Sequence, residues 1–246
     1  MNAIILAAGV GRRLGNSHEG PKCLLEIGGR TLLSRHLVAL RRLGIQRVVI
    51  CVGYESGQIR TELANLGVLD FCSTVENPQY ERGSVVSLWT VRDHLCDDDG
   101  VLLMDADVLY DQAILARLVQ TEKPNCFLLD REFEAGDEPV KLCVRDQQIV
   151  EFRKLLASDL AYDYCGESVG FFRFSAAMGA RLANRCEYYL DQALLDEHYE
   201  EAIRDLLLES PHEFSFEDVS GRNWIEIDFP EDVKRANDEI LPTIND

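Results

Sequence analysis

Short apolar runs alternate regularly with helical patterns along the first half of this chain, and this limits the folds open to it. The runs AIILAA, RVVICVG, DFCSTVEN and GVLLMDAD are typical of strands, and a segment with helical periodicity follows each of them. The first helix places Leu33, Leu37 and Leu40 on one face, and Gly44 is its expected C-terminal stop. This alternation predicts a parallel sheet with helices on both faces, because strands that are apolar throughout need cover on both sides.

The alternation of strand and helix patterns stops near Pro124. The segments CFLLD, VKLCVRDQQIVEFR and ESVGFFRFS are strand-like, with few helices between them. Two helical stretches follow, at roughly 176–189 and 199–208, and a final strand turns into a helix at Pro230. We therefore expect an α/β fold, a Rossmann-like three-layer sandwich with a mostly parallel, mixed central sheet. Because no linker is visible, residues 1–246 are predicted to form one domain with two halves, approximately 1–123 and 124–246.

Composition excludes several classes of partner. The formal net charge is −18, which argues against nucleic acid and anionic membranes, since both attract basic surfaces. The apolar runs are too short to cross a membrane, and no basic segment precedes the first of them, as a signal peptide would require. Eight cysteines are scattered singly, a pattern that favours reduced thiols and a cytoplasmic location.

The first predicted strand ends in the loop GVGRRLG, at the sheet edge where α/β proteins bind ligands. Glycines there let backbone N–H groups approach a phosphate or a base, and Arg12 and Arg13 offer charge to a polyphosphate. A dinucleotide-binding loop is disfavoured because Leu14 stands where the third glycine is needed. The alternative is a tight turn that binds no ligand, but this alternative does not explain why two arginines follow the glycines. Lys22, after Pro21, could reach the same anion, although a lone lysine is more often a surface residue.

Acidic residues mark two further strand ends. Asp105 and Asp107 close the run LLMDAD, and alternation puts both on one face if the strand continues that far. Glu226 and Asp228 close WIEID in the same way. Carboxylates beside a nucleotide suit Mg²⁺, which prefers oxygen ligands. The alternative for the first pair is an aspartate cap at a strand-to-helix turn.

Taken together, these motifs resemble those of the nucleotidyltransferases that make NDP-sugars and related activated alcohols. The family pattern is L-A-A-G-x-G-x-R-[LM] followed by P-K-x-L, and this chain has LAAGVGRRLG and PKCLLEIGG. NPQYERGSVVSL, MDAD, GESVGFFRFS and WIEIDFPEDVKRA extend the resemblance over the whole chain. It is most similar to the small cytidylyltransferases that act on phosphocholine, aminoethylphosphonate or inositol 1-phosphate. The family usually has a small hydroxyl residue before its arginine, so we align that arginine with Arg13. Arg12 is then either a second phosphate contact or a surface residue.

The resemblance implies roles for the residues at these positions. Arg13 and Lys22 would be catalytic, the first on the β- and γ-phosphates and the second near the α-phosphorus. Asp107 and Asp228 would hold Mg²⁺. The nucleotide-binding residues that it implies, all in the first half of the chain, are Leu6, Ala7, Ala8, Gly9, Gly11, Gly53, Asn77, Ser84 and Asp105.

The acceptor is expected over the second half of the chain. By resemblance, Lys154 would meet the acceptor phosphate and Glu167 would line the acceptor pocket. Lys141 either helps or is a strand residue that faces solvent. Tyr199 and Glu200 are further candidates, because CEYYLDQALLDEHYEEAI is rich in tyrosines and acids that could form a cage for a cationic head group. The favoured alternative is an acidic pair of amphipathic helices that packs its tyrosines.

The function implied by the resemblance is transfer of a nucleotidyl group from an NTP, with CTP favoured, to a small phosphomonoester or phosphonate. Mg²⁺ would assist in-line attack at the α-phosphorus, and pyrophosphate would leave. A uridylyl- or guanylyl-type sugar-1-phosphate nucleotidyltransferase and a metal-dependent glycosyltransferase of the same fold are the alternatives, together with a binding homologue that lacks turnover. A homo-oligomer is left open.

Overall fold

A computed structural model of the chain describes residues 1–17, 20–134 and 136–245. The α-helices within these residues are α1 (Leu32–Arg42), α2 (Ser56–Asn65), α3 (Ser84–Thr90), α4 (Gln112–Gln120), α5 (Ala176–Asp191), α6 (Tyr199–Glu209) and α7 (Pro230–Arg235). The strands are β1 (Asn2–Ala7), β2 (Glu26–Ile27), β3 (Arg30–Thr31), β4 (Val48–Val52), β5 (Cys72–Glu76), β6 (Val101–Asp105), β7 (Val108–Tyr110), β8 (Cys126–Asp130), β9 (Lys141–Arg145), β10 (Gln148–Arg153), β11 (Tyr164–Phe174), β12 (Ser215–Asp218) and β13 (Trp224–Glu226).

One sheet runs through both halves of the described chain. Its main path is β10-β9-β11-β6-β1-β4-β5, and β8 joins it through β11 and carries β12. The strands β6, β1, β4 and β5 are parallel, whereas β11 is antiparallel to β6, β8 and β9. This mixed central sheet confirms the predicted α/β class.

Side-chain alternation along β1 explains the three layers. Ala3, Ile5 and Ala7 belong to the core under α1, α2 and α4. Ile4 and Ala8 belong to the opposite core, under α3, α5 and α6. Both faces of the strand are therefore buried, as the uninterrupted apolar run predicts.

The pattern predicts some elements less well. The segment 140–153 is a hairpin, β9 and β10, whose turn places Asp146 and Gln147 at positive φ. The helical pattern that follows DFCSTVEN runs over SVVSLWTVRDHL, but α3 ends at Thr90 and a short 3-10 turn follows at Arg92–His94. Strands β2, β3, β7 and β12 are only two to four residues long, too short to be predicted from periodicity. None of the helices in the described ranges combines the length and apolar composition that a membrane crossing needs.

A two-stranded ribbon outside the main sheet positions the acidic motifs. β7 pairs antiparallel with β13, and Glu226 lies opposite Val108. The N–H of Ile227 then donates to the carbonyl of Asp107 at 2.9 Å. The two acidic segments, distant in sequence, are thus hydrogen-bonded to each other through their backbones.

A buried histidine makes the stability of this fold depend on pH. His36 in α1 is fully buried, and burial lowers its pKa from 6.5 to about 4. Between these values the unfolded chain binds a proton that the native state does not, so the free energy of unfolding falls as pH drops from 6.5 towards 4. We expect the wild type to lose roughly 2 kcal/mol more than His36→Leu between pH 7.5 and 4.5, since each pKa unit is worth about 1.4 kcal/mol. Urea unfolding at the two pH values measures this difference, and equal losses in both proteins would contradict the prediction.

Candidate active site

A cleft of about 280 Å³ opens at the carboxyl ends of β1 and β6. It brings together most of the residues that the sequence singled out. Those that line it are Leu6, Ala7, Ala8, Gly9, Arg13, Lys22, Ser84, Asp105, Asp107, Lys154, Tyr199, Glu200 and Asp228. Its wall also includes residues that the sequence analysis did not assign to a site, among them Tyr80, Arg82, His198 and Glu226.

The centre of the cleft is an array of carboxylates around one ammonium group. Lys22 Nζ lies 3.1 Å from Asp107 Oδ2 and 2.5 Å from Asp228 Oδ1. Arg13 Nη1 lies 3.1 Å from Asp228 Oδ2. Burial alone would lower the pKa of Lys22, but the charges of Asp107 and Asp228 outweigh it and raise that pKa. Lys22 is therefore a cation held between two anions.

A third carboxylate completes this array. One oxygen each from Asp107, Glu226 and Asp228 lies within 4.8 Å of the others. Although Glu226 is open to solvent, desolvation by the protein atoms around it and the charges of Asp107 and Asp228 raise its pKa. Three oxygen donors that repel one another fit a divalent cation, and the ammonium of Lys22 supplies positive charge there in this structure. Glu226 was missed as a ligand, although its position two residues before Asp228 was the available signal.

Local backbone geometry sets these side chains in place. Gly11 has φ +66°, and a Cβ there would lie 2.8 Å from Lys22 Cγ, so glycine leaves room for the lysine stem. Gly11 thus acts on the cleft through Lys22 without lining it. Asp232 accepts from the backbone N–H groups of Asp228 and Phe229, at 3.0 and 2.7 Å, as a carboxylate in the first turn of α7.

The two arginines of the glycine loop point to different places. The Arg12 side chain is 71% exposed, and it forms an ion pair with Glu81 at 3.9 Å. Arg13 instead enters the cleft, where its Nη1 also donates to Glu138 Oε2 at 2.7 Å. The same Glu138 oxygen accepts from Lys154 Nζ at 3.4 Å. One carboxylate therefore bridges the arginine of the first half and the lysine of the second.

Asp105 and Asp107 do not continue one strand. β6 ends at Asp105, and Asp107 lies in the bend beyond it, so the two carboxylates have different surroundings. Tyr199 Oη donates to Asp105 Oδ2 at 2.7 Å. Burial, followed by the charges of Glu200 and Asp107, raises the pKa of Asp105. Gly170 permits this arrangement, because a Cβ there would lie 2.3 Å from Asp105 Oδ2.

The start of α6 forms the opposite wall. The N–H of Tyr199 donates to Ser84 Oγ at 2.9 Å, which joins α6 to the start of α3. Glu200 Oε2 is buried without a hydrogen-bond partner among the residues that the structure describes. Burial raises the pKa of Glu200. This oxygen is available to a donor group of a ligand.

Besides Gly11, the predicted residues Gly53, Asn77, Lys141 and Glu167 do not line this cleft. Gly53 packs against Tyr80, because a Cβ at Gly53 would lie 2.4 Å from Tyr80 Cβ. Asn77 is buried and donates to Ser87 Oγ at 3.0 Å, so its side chain supports the wall from behind. Lys141 Nζ donates to the carbonyls of Gly136 and Lys154, at 2.6 and 2.7 Å.

Glu167 lines a neighbouring cleft of about 550 Å³, which shares Glu226 and Asp228 with the first. It lies opposite Asp130 in the sheet register. Burial, together with the charge of Asp130, raises the pKa of Glu167 to about 7. The predicted acceptor residues are thus divided between two adjoining clefts.

The tyrosines of α5 and α6 do not form one cage. Tyr188 is exposed, Tyr189 Oη donates to Asp205 at 3.0 Å, and Tyr199 Oη donates to Asp105. Tyr189 and Tyr199 both belong to the core between the helices and the sheet. The packed helix pair, the favoured alternative, describes this region.

A family model identifies the family to which this chain belongs. Residues 3–163 match the family model described as the MobA-like NTP transferase domain. Because the match covers more than half of the chain, the chain belongs to the MobA-like NTP transferase family. The predicted kinship with nucleotidyltransferases is thereby confirmed.

Three known proteins illustrate the similarity. The chain is 26% identical to the CMP-5'-(3-aminopropyl)phosphonate synthase of Streptomyces rubellomurinus, over 98% of this chain but only 39% of that protein. It is 24% identical to the CTP:phosphoglutamine cytidylyltransferase of Campylobacter jejuni, over 95% of this chain and 98% of that protein. The structure of the inositol-1-phosphate CTP transferase of T. maritima superposes with a TM-score of 0.77 at 20% identity, covering 100% of this chain and 98% of that one, and shows the shared fold.

Proposed function

We propose that this chain transfers a cytidylyl group from CTP to a small phosphate or phosphonate acceptor and releases pyrophosphate. The observation that carries the proposal is the meeting of Arg13 and Lys22 with Asp107, Glu226 and Asp228 at the ends of three strands. Such a reaction joins two anions, so catalysis requires positioning and charge neutralisation more than a side-chain nucleophile. CTP is favoured because the names of all three relatives described above contain CMP or CTP.

The cations of the cleft suit the phosphates of the nucleotide. In the proposed complex the backbone of Ala7, Ala8 and Gly9 meets the base, and Arg13 holds the β- and γ-phosphates. Lys22 neutralises charge at the α-phosphate and at the departing pyrophosphate. Glu138 accepts from both Arg13 and Lys154, and in the proposed complex the nucleotide's phosphates would replace its charge at Arg13 and the acceptor phosphate would replace it at Lys154.

Mg²⁺ fits the oxygen donors of Asp107, Glu226 and Asp228. When bound, it would supply Lewis-acid stabilisation of the charge that develops on the α-phosphate. The chain's own part is to hold the three carboxylates together, through the β7–β13 ribbon and Asp232. The acceptor needs no general base, because a phosphomonoester with a second pKa near 6 is largely dianionic at neutral pH.

The acceptor is proposed to place its phosphate at Lys154 and its head group near Glu200. Both residues line the cleft, and the partnerless oxygen of Glu200 suits an ammonium or a hydroxyl group. Lys141 takes part indirectly, because it holds the backbone carbonyl of Lys154.

A substrate screen tests the proposal. The protein would be incubated with each of four NTPs and a panel of phosphomonoesters and phosphonates, and pyrophosphate would be measured. The panel includes amino-, hydroxyl- and sugar-bearing acceptors. CTP-dependent pyrophosphate release is the expected result. Selective use of UTP or GTP with a sugar 1-phosphate would replace the cytidylyl assignment, and no pyrophosphate from any NTP would contradict it.

Lys154→Ala tests whether Lys154 binds the acceptor and not the nucleotide. It is expected to raise the KM for the acceptor about tenfold or more and to leave the KM for CTP within about twofold, because Lys154 is placed only on the acceptor phosphate. Arg153→Ala is the matched control, since Arg153 forms its ion pair with Glu201. Steady-state kinetics with each substrate varied in turn measure the effect. An equal rise in both KM values would mean that Lys154 does not select the acceptor.

A further inference from the structure

A histidine that lies behind the cleft contacts the backbone of the acidic motif. His36 Nε2 is 3.3 Å from the carbonyl oxygen of Ala106, and its Nδ1 is 3.3 Å from Tyr110 Oη. Ala106 is the residue between Asp105 and Asp107. The sequence gives no hint of this contact, because 70 residues separate His36 from Ala106.

The acceptors around the ring fix its tautomer. A carbonyl oxygen can only accept, so Nε2 carries the proton and donates to Ala106. Burial lowers the pKa of His36 to about 4, so the ring is neutral near pH 7 and Nδ1 accepts from the Tyr110 hydroxyl. Each ring nitrogen then has one defined role.

The carbonyl of Ala106 and the N–H of Asp107 belong to the same planar peptide group. Holding that carbonyl therefore fixes the orientation of the backbone as it enters Asp107. The carbonyl of Asp107 itself accepts from the N–H of Ile227 at 2.9 Å. Both peptide groups that flank Asp107 are thus anchored, one by His36 and the other by the segment that carries Glu226 and Asp228.

Aromatic packing keeps the histidine ring from turning. The rings of His36 and Tyr110 are stacked at 5.3 Å between centroids, and Phe171 lies edge-on to both, at 6.0 and 4.9 Å. Tyr110 is in β7 and Phe171 is in β11, so three elements meet at the ring. Reorienting the ring would require repacking this fully buried group.

We infer that His36 is a positioning residue for the divalent-cation site, and that it acts by fixing the backbone of Asp107. This inference rests on the proposed function for the role of Asp107 as a metal ligand. Groups that orient metal ligands without touching the metal typically change affinity by 10–100-fold when removed. The hydrogen bond from Nε2–H to Ala106 fixes the Asp107 backbone, and this role does not require a charge on the ring.

Three variants separate the hydrogen bond from packing. His36→Leu removes the donor and keeps an apolar side chain. His36→Gln can present an amide N–H near the position of Nε2 and restore the bond to Ala106. Leu37→Ala is a control for lost packing on α1, because Leu37 is buried and has no part in this contact. Thermal unfolding and circular dichroism confirm that each variant is folded before it is compared.

Mn²⁺ binding to the folded proteins, measured by calorimetry without nucleotide, is the main readout. We expect the Kd to rise about tenfold for His36→Leu and to stay within about threefold of the wild type for His36→Gln and Leu37→Ala. Unchanged affinity in His36→Leu, or equal loss in His36→Gln, would overturn the inference, as would a wild type that binds no divalent cation. If this binding pattern holds but no NTP releases pyrophosphate, the proposed function fails and the positioning role of His36 stands.

Discussion

Asp228→Asn is expected to reduce kcat/KM for cytidylyl transfer about a thousandfold, equivalent to ~4 kcal/mol of transition-state stabilisation. Asp228 is the point where the cations and the proposed metal site meet. Its two oxygens contact Lys22 and Arg13, and it forms part of the three-carboxylate array. The amide keeps the size of the side chain but removes its charge, so the loss reports on electrostatics and not on packing.

The measurement is pyrophosphate release over a range of Mg²⁺ concentrations, with Mn²⁺ affinity measured in parallel. Glu231→Gln is the control, because Glu231 is an exposed carboxylate three residues away in the first turn of α7. Asp107→Asn should behave like Asp228→Asn, and the double variant should lose little more than either alone, since groups that act as a unit are not additive. Near-normal rates for Asp228→Asn at limiting Mg²⁺ would show that Asp228 is not a metal ligand.

Much of the fold was predictable because its strands are buried on both faces. A parallel strand such as β4, with all five residues buried, is recognisable in the sequence as an uninterrupted apolar run. β12 has no such signal. Its residues, SFED, are mostly polar, and they form a strand because β8 offers a free edge to pair with. The strand conformation of β12 thus depends on its pairing with a neighbouring strand, which the local sequence does not encode.

The site was predictable as a set of motifs and not as a geometry. Lys22 and Asp228 are 206 residues apart, and only the assembled sheet brings them to 2.5 Å. The backbone link between Asp107 and Ile227 depends on a ribbon, β7–β13, whose strands are three residues each. The sequence predicts the final strand, β13, but neither β7, which is too short for periodicity to detect, nor the pairing of the two.

The residues that lie outside the cleft show a second limit of prediction from motifs. Asn77 stands in a motif that resembles one of the family's, yet its side chain donates to Ser87. Lys141 was a candidate for the acceptor site, yet its side chain donates to backbone carbonyls. A motif position indicates that a residue matters to the site without saying whether it lines the cleft or supports it. His36 is the reverse case, a residue without a motif that contacts the backbone between two acidic ones.

Lys22→Met is expected to have opposite effects on catalysis and on metal binding. Turnover should fall about a thousandfold, because the charge proposed to stabilise the α-phosphate in the transition state is lost. Mn²⁺ affinity of the free protein should instead rise several-fold. The ammonium of Lys22 lies between Asp107 and Asp228, so a divalent cation that binds these carboxylates must displace it or be repelled by it. With methionine, the carboxylates keep their charge and lose their competitor.

Lys22→Arg is the matched variant, because it retains the charge on a longer, planar group. It should bind Mn²⁺ no more tightly than the wild type while losing turnover, since a planar guanidinium group cannot take the place of the compact ammonium between Asp107 and Asp228. Calorimetry with Mn²⁺ and pyrophosphate release on the three proteins give the comparison. If Lys22→Met bound Mn²⁺ more weakly than the wild type, Lys22 would be needed to hold the carboxylates together. The carboxylate array would then depend on an internal cation before any metal arrives.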